Sequence, residues 1–141
     1  MSNTLTSPPA GHWPARRSII SAQLQTQFGM DQGLSIEQCL AGSGLTLSQL
    51  GDPASEIDAS QELILIGNLV AALGHIPDLG LLAGQRYHLS TYGLWGFALL
   101  SCPTLRSAAN MGLRYLDLTY AFCRMHLEDH GEDMHLRLDE Q

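Results

Sequence analysis

The stretch Tyr92–Tyr115, YGLWGFALLSCPTLRSAANMGLRY, decides the fold that this sequence predicts. Its first part, roughly residues 92–100, is apolar nearly all round, which is typical of a buried rather than an amphipathic helix. Gly93 and Gly96 carry no side chain there, which favours close approach by another element or by a ligand. We therefore expect this helix to be buried and tightly packed.

A second helix is predicted from about residue 103 to residue 119. Pro103 suits its first turn, because proline has no N–H to donate and a preset φ, with Ser101 or Cys102 near the cap. Apolar residues then recur near a 3.6-residue period, which indicates helix. The polar residues that fall between them are Arg106, Asn110, Arg114 and Asp117.

Upstream of this stretch the pattern predicts several shorter helices. Ser35 is expected to cap one of them, and Asp58 with Gln61 has the spacing of a capping box for another. The helix that follows Asp58 is very apolar from Leu63 onward and should lie in the core. The predicted helices span roughly residues 15–30, 34–41, 45–50, 58–73 and 78–87.

The pattern changes to a period of two after residue 119, which indicates strands. Two alternating segments, roughly residues 121–128 and 134–138, flank a polar run that contains Gly131, and this arrangement predicts an antiparallel hairpin. A two-stranded hairpin is marginally stable alone. We therefore expect further strands, either from the rest of the intact protein or from a second copy of the chain.

Three separated motifs resemble one family. GLWGFALLSCPTLRSAANMGLRY is similar to a signature in the N-terminal effector domain of one branch of AraC-type bacterial transcription regulators, the arabinose-binding-domain-like family. DLGLLAGQ, at Asp78–Gln85, and the hairpin MHLEDHGEDMHLRLDE also match the family pattern, in the same order. The fold class is therefore predicted as α+β and mainly helical, with several short helices and a C-terminal antiparallel hairpin, as an incomplete domain.

The charge of the chain argues against direct DNA binding. The net charge is −7, and the chain has seven arginines and no lysine. Neutralising the phosphates of DNA needs clustered basic residues, so this chain is not expected to bind DNA itself. The resemblance implies that a C-terminal domain with two helix-turn-helix units, absent from this sequence, makes that contact.

The remaining composition indicates a soluble, cytoplasmic protein. The three cysteines are scattered and odd in number, which is typical of a reducing compartment. The N-terminus lacks the apolar core of a signal peptide, and the longest apolar run, about residues 63–73, is too short to span a membrane. Residues 1–14 are expected to be a flexible tail, and residues 15–141 the first part of an effector-sensing and oligomerisation domain.

The resemblance implies that a small-molecule effector binds this domain and acts allosterically on the linked DNA-binding domain. Arg114 lies among apolar neighbours and needs a partner, either an internal carboxylate or carbonyl or the carboxylate of an effector. An acidic or amphipathic effector is the hypothesis that follows from the second alternative. The candidate effector-binding residues are Tyr87, His88, Tyr92, Trp95, Arg114 and Tyr115.

Other chemistries find weaker support. His126, His130 and His135 lie near the hairpin, but their spacing matches no zinc pattern, and a solvated hairpin tip is the simpler interpretation. No motif such as G-x-S-x-G flanks a candidate nucleophile, so an enzyme is not expected. No metal and no cofactor are predicted. The alternative to effector sensing is a stand-alone module that forms dimers and binds no ligand.

Overall fold

The computed structural model describes residues 3–6 and 16–139, and this part of the chain is mainly helical with antiparallel strands, which confirms the predicted α+β class. The α-helices are α1 (Ile20–Asp31), α2 (Ile36–Leu40), α3 (Leu47–Leu50), α4 (Ala59–Leu73), α5 (Leu79–Gly84), α6 (Gly93–Leu100) and α7 (Leu105–Arg114). The strands are β1 (Asn3–Thr6), β2 (Arg16–Ser18), β3 (Glu56–Asp58), β4 (Arg124–Asp129) and β5 (Met134–Asp139). Two 3-10 helices cover Leu89–Tyr92 and Leu116–Leu118.

The described chain divides into two compact units. We call residues 16–88 the helical unit, and residues 3–6 together with 89–139 the hairpin unit. Among the described residues, no helix is both long and apolar enough to cross a membrane.

One face of α4 forms the core of the helical unit. Leu65, Leu69 and Leu73 recur at helical spacing, are buried, and belong to one apolar cluster with residues of α1 and α2. The prediction that this helix lies in the core is correct for that face only, because Leu63 and Val70 remain exposed. The helix therefore buries one apolar face in this unit and leaves apolar side chains exposed on another face.

The predicted first helix begins later than expected. Residues 16–18 form β2, which pairs antiparallel with β3, a strand that the sequence pattern did not reveal. Each strand has three residues, too few for a period of two to stand out. Arg17 lies opposite Ile57 in this ribbon, and α1 follows directly.

Capping residues place the helix starts largely as predicted. Ser35 Oγ accepts from the Gln38 backbone N–H at 3.2 Å, and Gln61 Oε1 accepts from the Asp58 backbone N–H at 3.1 Å. For α7 the predicted cap is wrong. Thr104 Oγ1 accepts from the Ser107 N–H at 3.1 Å, so the cap is Thr104 rather than Ser101 or Cys102.

A three-stranded antiparallel sheet forms the β part of the hairpin unit. Its strand order is β1-β4-β5, so β4 is central, and its Leu127 lies opposite Leu5 and Leu136. The predicted hairpin is confirmed. Residues 3–6 were expected in a flexible tail but form β1, because β4 offers a free ladder of backbone hydrogen bonds on one side. Residues 1–2 and 7–14 of the predicted tail lie outside the described residues.

The prediction that α6 is buried is wrong for the described structure. Leu94 is 84% exposed and Phe97 59% exposed, whereas Gly96 is buried. The elements that α6 contacts most are α7 and the preceding 3-10 helix. A helix that is apolar on all sides is expected to be covered by other apolar elements. Its own sequence does not show whether such elements are present.

The two glycines of α6 have different roles. A Cβ on Gly96 would collide with the backbone carbonyl oxygen of Leu89, so the predicted close approach of another element is confirmed there. Gly93 instead has a φ of +54° where the 3-10 helix joins α6, and a Cβ there would meet no atom within 4 Å. Glycine is needed at this junction for its backbone conformation.

We predict that Gly96→Ala destabilises the chain by about 1–3 kcal/mol, because the backbone of Leu89 must move to admit the new methyl group. Gly67→Ala is the matched control. Gly67 lies exposed within α4 with no atom near its Cβ position, so alanine should stabilise by up to about 1 kcal/mol. Urea unfolding followed by circular dichroism measures both, and equal effects of the two substitutions would contradict the proposed contact.

Candidate functional site

A fully buried carboxylate lies in the helical unit. Glu62 is 0% exposed and stands one turn before Leu65 on the buried face of α4. Its Oε2 accepts a hydrogen bond from Arg17 Nη1 at 3.2 Å, and Arg17, on β2, is 6% exposed. Burying a charge is costly unless it is paired and hydrogen-bonded. The ion pair with Arg17 therefore compensates for burying the Glu62 carboxylate.

Two residues of α1 and one residue after α5 complete this polar network. Ser21 Oγ and Gln25 Nε2 both donate to Glu62 Oε1, the second at 3.1 Å. The hydroxyl of Tyr87 lies 2.7 Å from Ser21 Oγ and accepts from Gln25 Nε2 at 2.9 Å. Ser21 and Gln25 are four residues apart, which places them on the same face of α1. The network therefore joins β2, α1, α4 and the end of the helical unit.

The surroundings of Glu62 shift the pKa of its carboxyl group. Burial raises the pKa of the Glu62 carboxyl above its ordinary value, while the hydrogen bond from Ser21 and the charge of Arg17 act in the opposite direction. The net direction is upward. The folded helical unit therefore holds this proton more tightly than the unfolded chain does.

Tyr87 was a candidate from the sequence, whereas Arg17, Ser21, Gln25 and Glu62 were not. A signal was present, because Glu62, Leu65, Leu69 and Leu73 recur at spacings of three and four residues, which places the carboxylate on the apolar stripe. The partners could not be found in this way, because Arg17 and Tyr87 are 45 and 25 residues away from Glu62 in the chain.

A cluster of three aromatic rings lies in the hairpin unit. The ring of Tyr92 lies 5.3 Å from that of Trp95 and 5.5 Å from that of Tyr120, measured between centroids. Trp95 Nε1 donates to the Gly112 carbonyl at 3.3 Å, and a Cβ on Gly112 would lie 3.2 Å from the Trp95 ring. All three rings are half-buried, so each keeps some exposed surface. Tyr92 and Trp95, both of which are candidate residues from the sequence, are thus in contact.

The other candidate residues are exposed. His88 is exposed at the end of the helical unit, and Arg114 and Tyr115 are exposed at the C-terminal end of α7. Arg114 was expected among apolar neighbours. That expectation is wrong, because the buried face of α7 carries Gly112 and Leu113, and the next residue points about 100° away from Leu113 around the helix.

The hairpin brings three potential metal ligands together. One ligand atom each of Glu128, His130 and His135 lie within 4.8 Å of one another. His126, which was considered together with them, instead contacts Asp139 through Nε2 at 2.8 Å. The spacing of these residues in the chain matched no zinc pattern, but pairing of β4 with β5 brings Glu128 and His135 opposite each other.

We predict that Arg17→Met destabilises the folded chain by about 3–5 kcal/mol at neutral pH, because Glu62 would lose its buried opposite charge. The double variant Arg17→Met/Glu62→Gln should recover much of this loss. Arg16→Met is the neighbouring control: Arg16 pairs with Glu56 on the surface, and its removal should cost less than about 1 kcal/mol. Urea unfolding measures all three, and equal losses for Arg16→Met and Arg17→Met would contradict the prediction.

The loss in Arg17→Met should also depend on pH. A raised pKa contributes stability that is complete below the ordinary value of 4.5 and is lost as the pH rises through the folded-state pKa. Removing Arg17 raises the pKa of Glu62 further, so the variant should lose stability more steeply than the parent chain as the pH rises above 4.5. The double variant lacks this carboxyl and should not show the additional slope.

Two curated relatives are similar to most of this chain. They are uncharacterized HTH-type transcriptional regulators from Mycobacterium bovis and Mycobacterium tuberculosis, each 29% identical over 133 residues. The match covers 92% of this chain and 39% of each relative, so the chain spans well under half of their length. No solved structure matches the chain significantly.

The family described as the arabinose-binding domain of AraC transcription regulators, N-terminal, matches residues 33–141. That range includes α4, α6, α7, the aromatic cluster and the hairpin. It agrees with the resemblance that the three sequence motifs carry. The chain therefore belongs to the family of N-terminal arabinose-binding domains of AraC-type transcription regulators.

Proposed function

We propose that this chain is the effector-responsive region of an AraC-type transcription regulator, which acts in the cytoplasm and controls a linked DNA-binding domain. The observation that carries the proposal is the family match over residues 33–141. The helix-turn-helix regulators that resemble the chain support it, because the matched region is 39% of their length and leaves room for a DNA-binding domain. Membership of a regulator family points away from an enzyme.

We place the effector at the aromatic cluster of Tyr92, Trp95 and Tyr120. Ligand sites are mostly apolar with a few polar groups, and three half-buried rings, of which Tyr92 contacts the other two, provide such a surface. Arg114 and Tyr115 are exposed in the same unit and are the proposed contacts for a polar or acidic part of the effector. An amphipathic small molecule with an acidic group is the ligand class that fits these side chains.

We leave two of the sequence candidates out of this site. The hydroxyl of Tyr87 is already hydrogen-bonded to Ser21 and Gln25 within the helical unit, so its proposed role is structural. His88 belongs to the helical unit as well, whereas the aromatic cluster belongs to the hairpin unit.

The proposed mechanism is allosteric, and no bond is made or broken. An effector shifts the equilibrium between two states of the regulator only by as much as it binds one of them more tightly. A dimer in which the effector favours one arrangement of the two DNA-binding domains would satisfy this condition. This chain is acidic and has no lysine, so we do not expect it to contact the DNA itself.

The test is a thermal-shift screen of small organic acids and amphipathic metabolites, followed by titration calorimetry of each compound that raises the melting temperature. We expect Trp95→Leu to weaken binding by about tenfold, because one wall of the site is lost. Phe97→Leu is the matched control, since Phe97 is an exposed aromatic residue on the same helix outside the cluster. Equal affinities in both variants would place the compound elsewhere.

The same compound should change the affinity of the longer regulator for its promoter DNA by about 5- to 150-fold at fixed salt concentration. Fluorescence anisotropy with labelled promoter DNA measures this change. A compound that binds the chain and leaves DNA affinity unchanged would contradict the allosteric mechanism.

A second candidate function, a dimerising module without a ligand, is favoured by the exposed apolar side chains of the hairpin unit. Leu94 and Leu100 on α6 and Leu136 and Leu138 on β5 are all more than half exposed. Apolar surface of this extent is typical of an interaction site. Dimerisation that is abolished by Leu94→Glu, in a chain for which the screen finds no ligand, would favour this alternative.

A further inference from the structure

The hairpin of β4 and β5 places two histidines and a glutamate on one small surface. Glu128 lies directly opposite His135 in the strand register, and His130 lies in the turn that joins the strands. Residues that face each other across an antiparallel pair have Cβ atoms about 5 Å apart, so this register sets the position of two of the three groups. The turn then brings the third group over the same end of the hairpin.

The distances between the three groups are short. The rings of His130 and His135 have centroids 4.7 Å apart, and His130 Nε2 lies 3.5 Å from Glu128 Oε2. One ligand atom from each residue lies within 4.8 Å of the other two. In a tetrahedral zinc site with metal–ligand bonds of about 2.1 Å, ligand atoms are about 3.4 Å apart. Closing the group around an ion therefore requires movements of little more than about 1 Å.

We infer that Glu128, His130 and His135 form a binding site for a divalent transition-metal ion of the zinc class. Two imidazoles and one carboxylate are a ligand set that zinc takes in proteins, and calcium and magnesium prefer oxygen ligands alone. Three protein ligands leave one position of a tetrahedral ion for water or for a group of another molecule.

The surroundings leave these three residues available as ligands. Asp129 is held by an ion pair with Arg106 and accepts from the Gly131 N–H at 2.9 Å, and the neighbouring His126 contacts Asp139. The competing cation is Arg137, whose Nη1 lies 3.7 Å from Glu128 Oε1.

Arg137 has another carboxylate within reach. Its Nε donates to Asp139 Oδ1 at 3.2 Å, so the guanidinium keeps a partner when Glu128 turns toward an ion. Arg137 is exposed, and exposed ion pairs of this kind are worth about 1 kcal/mol or less. The arginine is therefore a weak competitor for the carboxylate.

The turn allows the required movement. It is closed by a hydrogen bond from the His130 N–H to the Asp133 carbonyl at 2.9 Å, and Gly131 adopts a φ of +88°. The backbone of His130 is thus held, while its side chain is exposed and can change rotamer. A bound ion would join β4, β5 and the turn, and it would stabilise the folded hairpin by mass action.

The test is titration calorimetry of the tag-free chain with zinc sulfate at neutral pH in a buffer that does not bind metals. We expect one ion per chain. His135→Gln and Glu128→Gln should each weaken binding by about 100-fold, since each removes a ligand while roughly preserving side-chain size. His75→Gln is the matched control, because His75 is an exposed histidine of the helical unit. Magnesium chloride should give no binding.

Histidine NMR resonances supply a second readout that does not depend on the variants. Zinc should shift the imidazole signals of His130 and His135 and leave that of His75 in place. An absence of zinc binding below millimolar concentration would overturn the inference, and so would equal affinity in His75→Gln and His135→Gln. The site lies apart from the aromatic cluster in the sequence and in its chemistry, so its failure would leave the proposed effector site unaffected.

Discussion

The helical unit depends on the ion pair between Arg17 and Glu62. A carboxylate with no exposed surface can lie among leucines only when an opposite charge and hydrogen-bond donors replace the water that it loses. Ser21 and Gln25 supply those donors from one face of α1. The pair therefore constrains where β2 and α1 can lie relative to α4, in addition to the apolar packing of Leu65, Leu69 and Leu73. The dependence is on keeping both partners, because removal of either one leaves the other charge buried and unpaired.

The hairpin unit depends on a different constraint, the pairing of backbone groups in its sheet. The pairing of β4 with β5 leaves one side of β4 without partners, and residues 3–6 fill that side as β1. The same strand register brings Glu128 and His135 opposite each other. In the same unit, the aromatic cluster depends on glycine, because a side chain at position 112 would crowd the Trp95 ring. Backbone geometry therefore determines where the side chains of the two proposed sites in this unit lie.

The two units differ in how much of their polar and aromatic side chains is left exposed. In the helical unit the polar groups bind one another, and the hydroxyl of Tyr87 is hydrogen-bonded within that network. In the hairpin unit the rings of Tyr92, Trp95 and Tyr120 keep exposed surface, and so do the apolar residues of α6. A regulator domain needs surfaces that can respond to a ligand or to a partner. The exposed aromatic and apolar surface of the hairpin unit meets that need better than the closed polar network does.

The sequence by itself determined the family, the mainly helical α+β class, most helix positions and the hairpin, because each of these follows from local patterns. Residue spacing marks a helix or a strand, and Ser35 and Asp58 mark helix starts through bonds to residues three positions away. Only the tertiary structure decided that residues 3–6 form a strand, that Arg114 is exposed, and that Glu62 pairs with Arg17. These outcomes depend on contacts between residues distant in the chain, such as the 45-residue separation between Arg17 and Glu62. A local sequence pattern does not indicate which distant residue will pair with a buried charge or which distant strand will pair with a free strand edge.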